Sequence, residues 1–153
     1  MQIQFSKKDV RPFQKQYFST LMGRIGLYFI FTENLTIPYP FRPSRLIYIG
    51  MSESRMNSIG KRLTDHLSGQ SDNRGIKGYS ARWEIKFTYL DIDFLKHIFL
   101  AIRIEDIETY FLENFADAFG TYPICNNRRG EEKVLDLDKG LSIDWELFGV
   151  NHE

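Results

Sequence analysis

The apolar positions of this chain fall into a few short patterns. Two runs are almost continuously apolar or aromatic: GLYFIF from Gly26 to Phe31, and LIYIG from Leu46 to Gly50. Runs of this length, bounded by turn-forming residues, predict two buried strands. RWEIKFTYL, from Arg82 to Leu90, alternates instead. Trp83, Ile85, Phe87 and Tyr89 share one face, and Arg82, Glu84, Lys86 and Thr88 the other, which predicts a third, half-buried strand. Ile59, Leu63 and Leu67 recur every four residues and predict one face of a helix, with Arg62 and His66 as the adjacent stripe. Ile104, Ile107, Phe111, Phe115 and Ala118 mark a second helix, about 104–119, which Gly120 is placed to stop. Residues 92–103 fit both periods and are read as helix, and 12–22 as a short helix.

The segments between are polar or rich in proline. Pro38, Pro40 and Pro43 can neither pair in a sheet nor continue a helix, so 32–44 is an extended loop. GQSDNRGIKG, from Gly69 to Gly78, reads as a polar, glycine-rich and mobile loop. The tail from Glu131 alternates acidic and apolar residues and ends near Trp145 and Phe148. The whole predicts a single α/β domain: a small, mainly antiparallel three-stranded central sheet flanked by helices.

Composition narrows the partners. The 153 residues carry 20 basic and 20 acidic side chains. A nucleic acid would therefore be held by a local basic patch, not by the overall field. The candidates are Arg62, Arg74, Lys77, Arg128 and Arg129. Cys125 is the one cysteine, so no internal disulfide forms, which suits a reducing compartment. No window approaches 18 apolar residues and the start, MQIQFSKKD, is polar. The expectation is a soluble, cytoplasmic protein with no membrane partner.

Several polar residues sit where packing alone does not ask for them. Glu108 lies beside Ile104, Phe111, Leu112 and Phe115, at the border of the apolar stripe, where a carboxylate needs a cationic partner or a metal. Glu113 neighbours Thr109, Tyr110 and Asp117 on the more polar side. Tyr28 and Tyr48 lie within the buried strands, and strand packing has no use for their hydroxyls.

Gly26-Leu27-Tyr28 and Tyr48-Ile49-Gly50, followed by Arg62, His66, Glu108 and Asn126, resemble the GIY-YIG nuclease superfamily. The resemblance spans about Gly26 to Asn126. It implies a nuclease core at about 24–127, an N-terminal flank at 1–23 and a C-terminal extension at 128–153. It further implies a divalent-metal-dependent endonuclease acting on DNA, with magnesium or manganese held by Glu108. Arg62 would clamp the phosphate, and His66 would occupy a position that many members fill with a polar or aromatic residue. Both tyrosine hydroxyls would lie in the site, with Tyr48 favoured over Tyr28 as the base. Asn126, in Pro123-x-x-Asn126, would hold the site together, and Asn127 adjoins it as an alternative. Many members carry a lysine after the second triplet; here it is Met51, and Lys61 is the nearest substitute. Specificity would come from 32–44, 69–78, the termini, a homodimer or a partner protein. The alternative is a GIY-YIG-like nucleic-acid-binding or assembly module that has lost catalysis.

Overall fold

The computed structural model describes residues 1–100, 102–126 and 141–150. Its strands are β1 (Gln2–Ile3), β2 (Arg11–Pro12), β3 (Gly26–Thr32), β4 (Leu46–Ser52), β5 (Ile85–Asp91) and β6 (Ser142–Ile143). Its helices are α1 (Lys15–Phe18), α2 (Ile59–Ser68), α3 (Arg74–Arg82), α4 (Ile92–Ile98) and α5 (Ile104–Phe119). The main sheet is antiparallel with strand order β2-β5-β3-β4, and β1 and β6 form a separate parallel pair. The expected three strands are therefore present, but the sheet has four. The extra one pairs through only Arg11 and Pro12, too short to show a period of two. Its proline is tolerated because it lies at the sheet edge.

β3 is the centre of the molecule. It pairs along its length with both β4 and β5, and every one of its residues is buried. Tyr28 points to the side where α2 lies. Phe29 points to the other side, against Phe111 of α5, Trp145 and Phe148. Gly26 brings β3 and β5 together: its φ is +156°, and a Cβ there would stand 2.1 Å from the Leu90 carbonyl oxygen. Only glycine fits such an approach.

The helices follow their local signals. Ser58 caps α2 by accepting from the Lys61 N–H, and Gly69 ends it in a left-handed conformation. Ile59 and Leu63 are buried as the period requires, but Leu67 is exposed. α5 runs over Ile104–Phe119 and stops at left-handed Gly120. α4 takes the first half of 92–103, with Asp91 as its cap.

Two expectations are corrected, and a third is extended. The glycine-rich segment is a loop only as far as Asn73, whose side chain accepts from the Ile76 N–H and starts α3. Gly75 belongs in that helix because a Cβ there would come 2.8 Å from Cys125 Sγ. Arg82 and Trp83 are the end of α3 and its cap, not the start of β5, and Trp83 is exposed. The proline-rich loop is extended as expected, but it is also packed, with Ile37 and Tyr39 buried and the Tyr39 hydroxyl donating to the Leu46 carbonyl.

Residues 141–150 contribute to the core. Trp145 and Phe148 sit among Phe5, Phe29, Phe111 and Phe115 at ring separations of about 5–6 Å. Arg45 fastens this segment. Its guanidinium donates to the carbonyls of Leu147 and Gly149 at 2.6 Å and of Glu33 at 3.1 Å. Charged groups buried this way must be fully hydrogen-bonded to be tolerated. Among the described residues, no helix is long and apolar enough to cross a membrane.

Trp145 is 3% exposed. Trp145→Ala is expected to cost about 3–5 kcal/mol, as for other large aromatic truncations. Urea unfolding read by circular dichroism checks this, and a loss under about 1 kcal/mol would place the tail outside the cooperative core.

Candidate functional site

The site is built on the register between β3 and β4. Tyr28 lies opposite Gly50, and Ile30 opposite Tyr48, so the two tyrosines are diagonal neighbours on one face. Their ring centroids are 6.0 Å apart. The glycine is what allows this. A Cβ on Gly50 would stand 2.3 Å from Tyr28 Cζ and 2.5 Å from its hydroxyl oxygen. The Tyr28 ring thus lies across the space a side chain on Gly50 would fill.

α2 delivers the polar partners. Arg62 and His66 are one turn apart, and both reach the Tyr28 hydroxyl. Arg62 Nε donates to it at 3.0 Å, and His66 Nε2 lies 2.8 Å from it. His66 Nδ1 is in turn 2.7 Å from Ser71 Oγ. One arrangement satisfies all of these groups. Tyr28 accepts from Arg62 and donates to Nε2, and the imidazole carries its proton on Nδ1 toward Ser71. The Tyr48 ring meets His66 edge to face at 5.1 Å and lies beside Tyr28, and the charge of Arg62 is felt at its phenol.

The electrostatics are set by burial. Tyr28 is 0% exposed, and desolvation pushes its phenol well above the usual value, with neighbouring Tyr48 adding to the rise and Arg62⁺ opposing it. Tyr48 is raised for the same first reason, and there too Arg62 pulls the other way. Arg62⁺ acts to make both phenols more acidic, but desolvation exceeds its effect. His66 is lowered to about 4 by burial and by Arg62⁺ and is neutral near pH 7. Tyr48 is half-buried and Tyr28 wholly enclosed, so Tyr48 presents the more accessible of the two phenols.

Glu108 is buried on α5, and its charge is felt at both tyrosines. Glu113, the rival, accepts from the Tyr122 hydroxyl instead. Among the described residues no group of three His, Cys, Asp or Glu converges to cage a metal. Lys61, the nearest substitute for the absent lysine, is held by Asp65 at 2.7–2.9 Å.

Asn126 has a defined task. β4 is an edge strand, so the outward backbone groups of Ile49 lack a strand partner. The Asn126 carboxamide supplies one, accepting from the Ile49 N–H at 3.0 Å and donating to its carbonyl at 2.8 Å. The Cys125 N–H donates to the Ile47 carbonyl in the same manner. A primary amide presents the same donor and acceptor as a peptide group. Asn127, Arg128 and Arg129 lie outside the described residues. Arg74 and Lys77 are on α3 and exposed.

Two residues of the assembly carry no obvious mark in the sequence. Ser71 backs His66, and Asn73 joins the start of α3 to the Cys125 carbonyl at 3.0 Å. Asn73 was readable as a helix cap before an apolar residue; Ser71 was one polar loop residue among many. No family model, curated protein or solved structure matches this chain.

Burial of neutral His66 makes a pH prediction. The unfolded imidazole binds a proton near 6.5, while the folded one waits until about 4. The unfolded state therefore holds more protons in between, and stability falls as the pH drops through that window. At 1.36 kcal/mol per unit, the loss attributable to His66 is roughly 3 kcal/mol. Urea titrations between these pH values are expected to show a steeper loss in the parent than in His66→Gln. Equal slopes would mean that His66 titrates freely in the folded chain.

Proposed function

We propose that this chain is a GIY-YIG-type, divalent-metal-dependent endonuclease that hydrolyses DNA phosphodiester bonds. The observation that carries the reading is the cluster of Arg62, Tyr28 and His66 with Tyr48 against it. Order along the chain, strand register and hydrogen bonding all converge on the same few polar residues. A core tyrosine kept for packing needs one hydrogen-bond partner, which a backbone carbonyl can supply; here an arginine and a histidine both converge on the hydroxyl.

The residues divide the work. With Nε held by Tyr28, the planar guanidinium of Arg62 is pre-oriented, and its other donors suit a phosphate. Tyr48, the more accessible phenol, receives the proton of the attacking water. Because burial keeps that phenol protonated at neutral pH, it acts as a base by handing its own proton on. Tyr28 and then neutral His66 stand next in line. His66 gains the proton at Nε2 as its Nδ1 proton passes toward Ser71, so no imidazolium forms in the desolvated site. Ser71 and Asn126 keep His66 and β4 in place.

Glu108 is the carboxylate that would hold magnesium or manganese. A single buried carboxylate beside the tyrosines suits such an ion, because magnesium commonly keeps water and substrate phosphate as its remaining ligands. When bound, it would neutralise charge on the phosphate and on the leaving oxygen. A second reading, a binding module without catalysis, draws on Met51 where many members carry lysine, and on Lys61 being engaged by Asp65.

Plasmid nicking with and without magnesium or manganese tests the reading. Tyr48→Phe keeps the ring and is expected to stay folded and bind DNA. Its cleavage is expected to fall at least a hundredfold, the scale of losing a general base, about 10²–10⁴. Glu108→Ala should abolish metal-dependent nicking, and Glu113→Ala should cut normally. If Tyr48→Phe and Tyr28→Phe both cut like the parent, the roles given to the phenols are wrong. A parent that binds DNA and never nicks it leaves the binding module.

A further inference from the structure

Away from the tyrosine cluster, α3 has a composition unlike the rest of the chain. Its nine residues, RGIKGYSAR, include Arg74, Lys77 and Arg82 and no acid, in a protein of zero net charge. Four basic side chains elsewhere are held in ion pairs: Arg24 with Asp91, Lys61 with Asp65, Lys86 with Glu33 and Arg103 with Glu105. Among the described residues, the three cations of α3 make no such ion pair.

The same helix carries a flat apolar surface beside those charges. Trp83 caps α3, its backbone N–H donating to the Tyr79 carbonyl at 2.8 Å. Its side chain is 46% exposed. Gly78 leaves the adjacent helix surface bare, and Gly75 packs against Cys125. At Gly75 a side chain is excluded by Cys125 Sγ; at Gly78 the nearest neighbour to an added Cβ is Arg82 Nη1, 3.5 Å away. The result is an open groove of about 260 Å³ lined by Arg74, Gly75, Gly78, Tyr79, Arg82 and Trp83. Arg82 is held along it by donating to the Gly78 carbonyl at 3.0 Å.

We propose that this groove holds an unstacked nucleobase of a nucleic-acid strand, with Trp83 as the stacking surface and Arg74 and Arg82 on the flanking phosphates. The proposal deepens the nucleic-acid reading of the chain but does not depend on cleavage. Unpaired charge alone would fit any polyanion. An exposed indole beside a glycine-floored slot adds a face that a base can use and a phosphate cannot. A base inside an intact duplex has both faces covered by its neighbours, so the occupant is single-stranded, flapped or frayed. A peptide partner fits less well, because it would need acidic groups spaced to match three cations and a flat ring between them. The groove is also tied to the tyrosine cluster. Ser71, which backs His66, and Asn73, which starts α3, are two residues apart, and Asn73 holds the segment that carries Asn126. A strand whose base sits at Trp83 would be fixed relative to the cluster.

The full chain reports on this directly, because Trp83 is its exposed tryptophan and Trp145 is buried. Titration with single-stranded oligothymidylate of about ten nucleotides, within the site sizes of such grooves, is expected to quench tryptophan emission saturably. Trp83→Ala should remove the quench and weaken binding, by fluorescence anisotropy of a labelled strand, roughly tenfold, the scale of one lost base–aromatic stack. Arg74→Ala should keep the quench and flatten the salt dependence by roughly one log–log unit. An abasic strand of equal length carries the charge without the bases and should not quench. The proposal is overturned if emission does not change, if the abasic strand or a blunt duplex quenches equally, or if Trp83→Ala binds like the parent. Nicking is measured alongside. A quench without nicking removes the enzyme reading alone, and nicking without a quench removes this one alone.

Discussion

A phenol hydroxyl with no access to water has to be hydrogen-bonded, and in this protein that requirement falls on Tyr28. Its ring fills the space over Gly50 on a strand that is buried along its whole length. Leaving such a hydroxyl unpaired would cost about 1–3 kcal/mol. Arg62 and His66 meet the need from α2, which ties the helix to the sheet by side-chain polarity as well as by packing. The pairing then has further consequences. Arg62 is fixed in orientation, His66 is desolvated and neutral, and Tyr48 is brought against both. A packing choice at Gly50 and the chemistry of the cluster are in this sense the same fact.

The opposite face of β3 supplies the rigidity that such a cluster needs. Phe29 meets rings from the N-terminal segment, α5 and residues 141–150. Arg45 locks the last of these through backbone carbonyls. Asn126 closes the exposed edge of β4 at Ile49, between Tyr48 and Gly50. Each device holds a backbone group near the cluster in place, and none supplies a reacting group. On the nuclease reading, that is the division expected between residues that act and residues that position them.

Charge is handled locally because the chain as a whole has none to spare. Arg24, Lys61 and Lys86 are held in ion pairs, Arg45 by backbone carbonyls, and Arg62 is turned toward Tyr28. α3 carries three cations and no acid, next to an exposed indole.

The sequence by itself determined the elements with a strong period and the residues that would matter if those elements met. β3, β4 and α5 follow directly from their apolar runs, and Glu108 follows from its place beside the α5 stripe. The spacing of Arg62 and His66 fixed their common helix face in advance, because a helix turn is a local property. What only the tertiary structure decided were the contacts between elements far apart in the chain. Two residues at Arg11 and Pro12 become a strand only because β5 offers them an edge. The tail joins the core only because Arg45 and the Phe29 face receive it. A polar, glycine-containing stretch becomes α3 because Asn73 caps it and Cys125 needs Gly75 bare. The titration of Tyr48 is likewise set by the tertiary structure. Sequence reveals that a cation is near, but only the packed structure reveals how much water has been removed, and here desolvation is the larger effect.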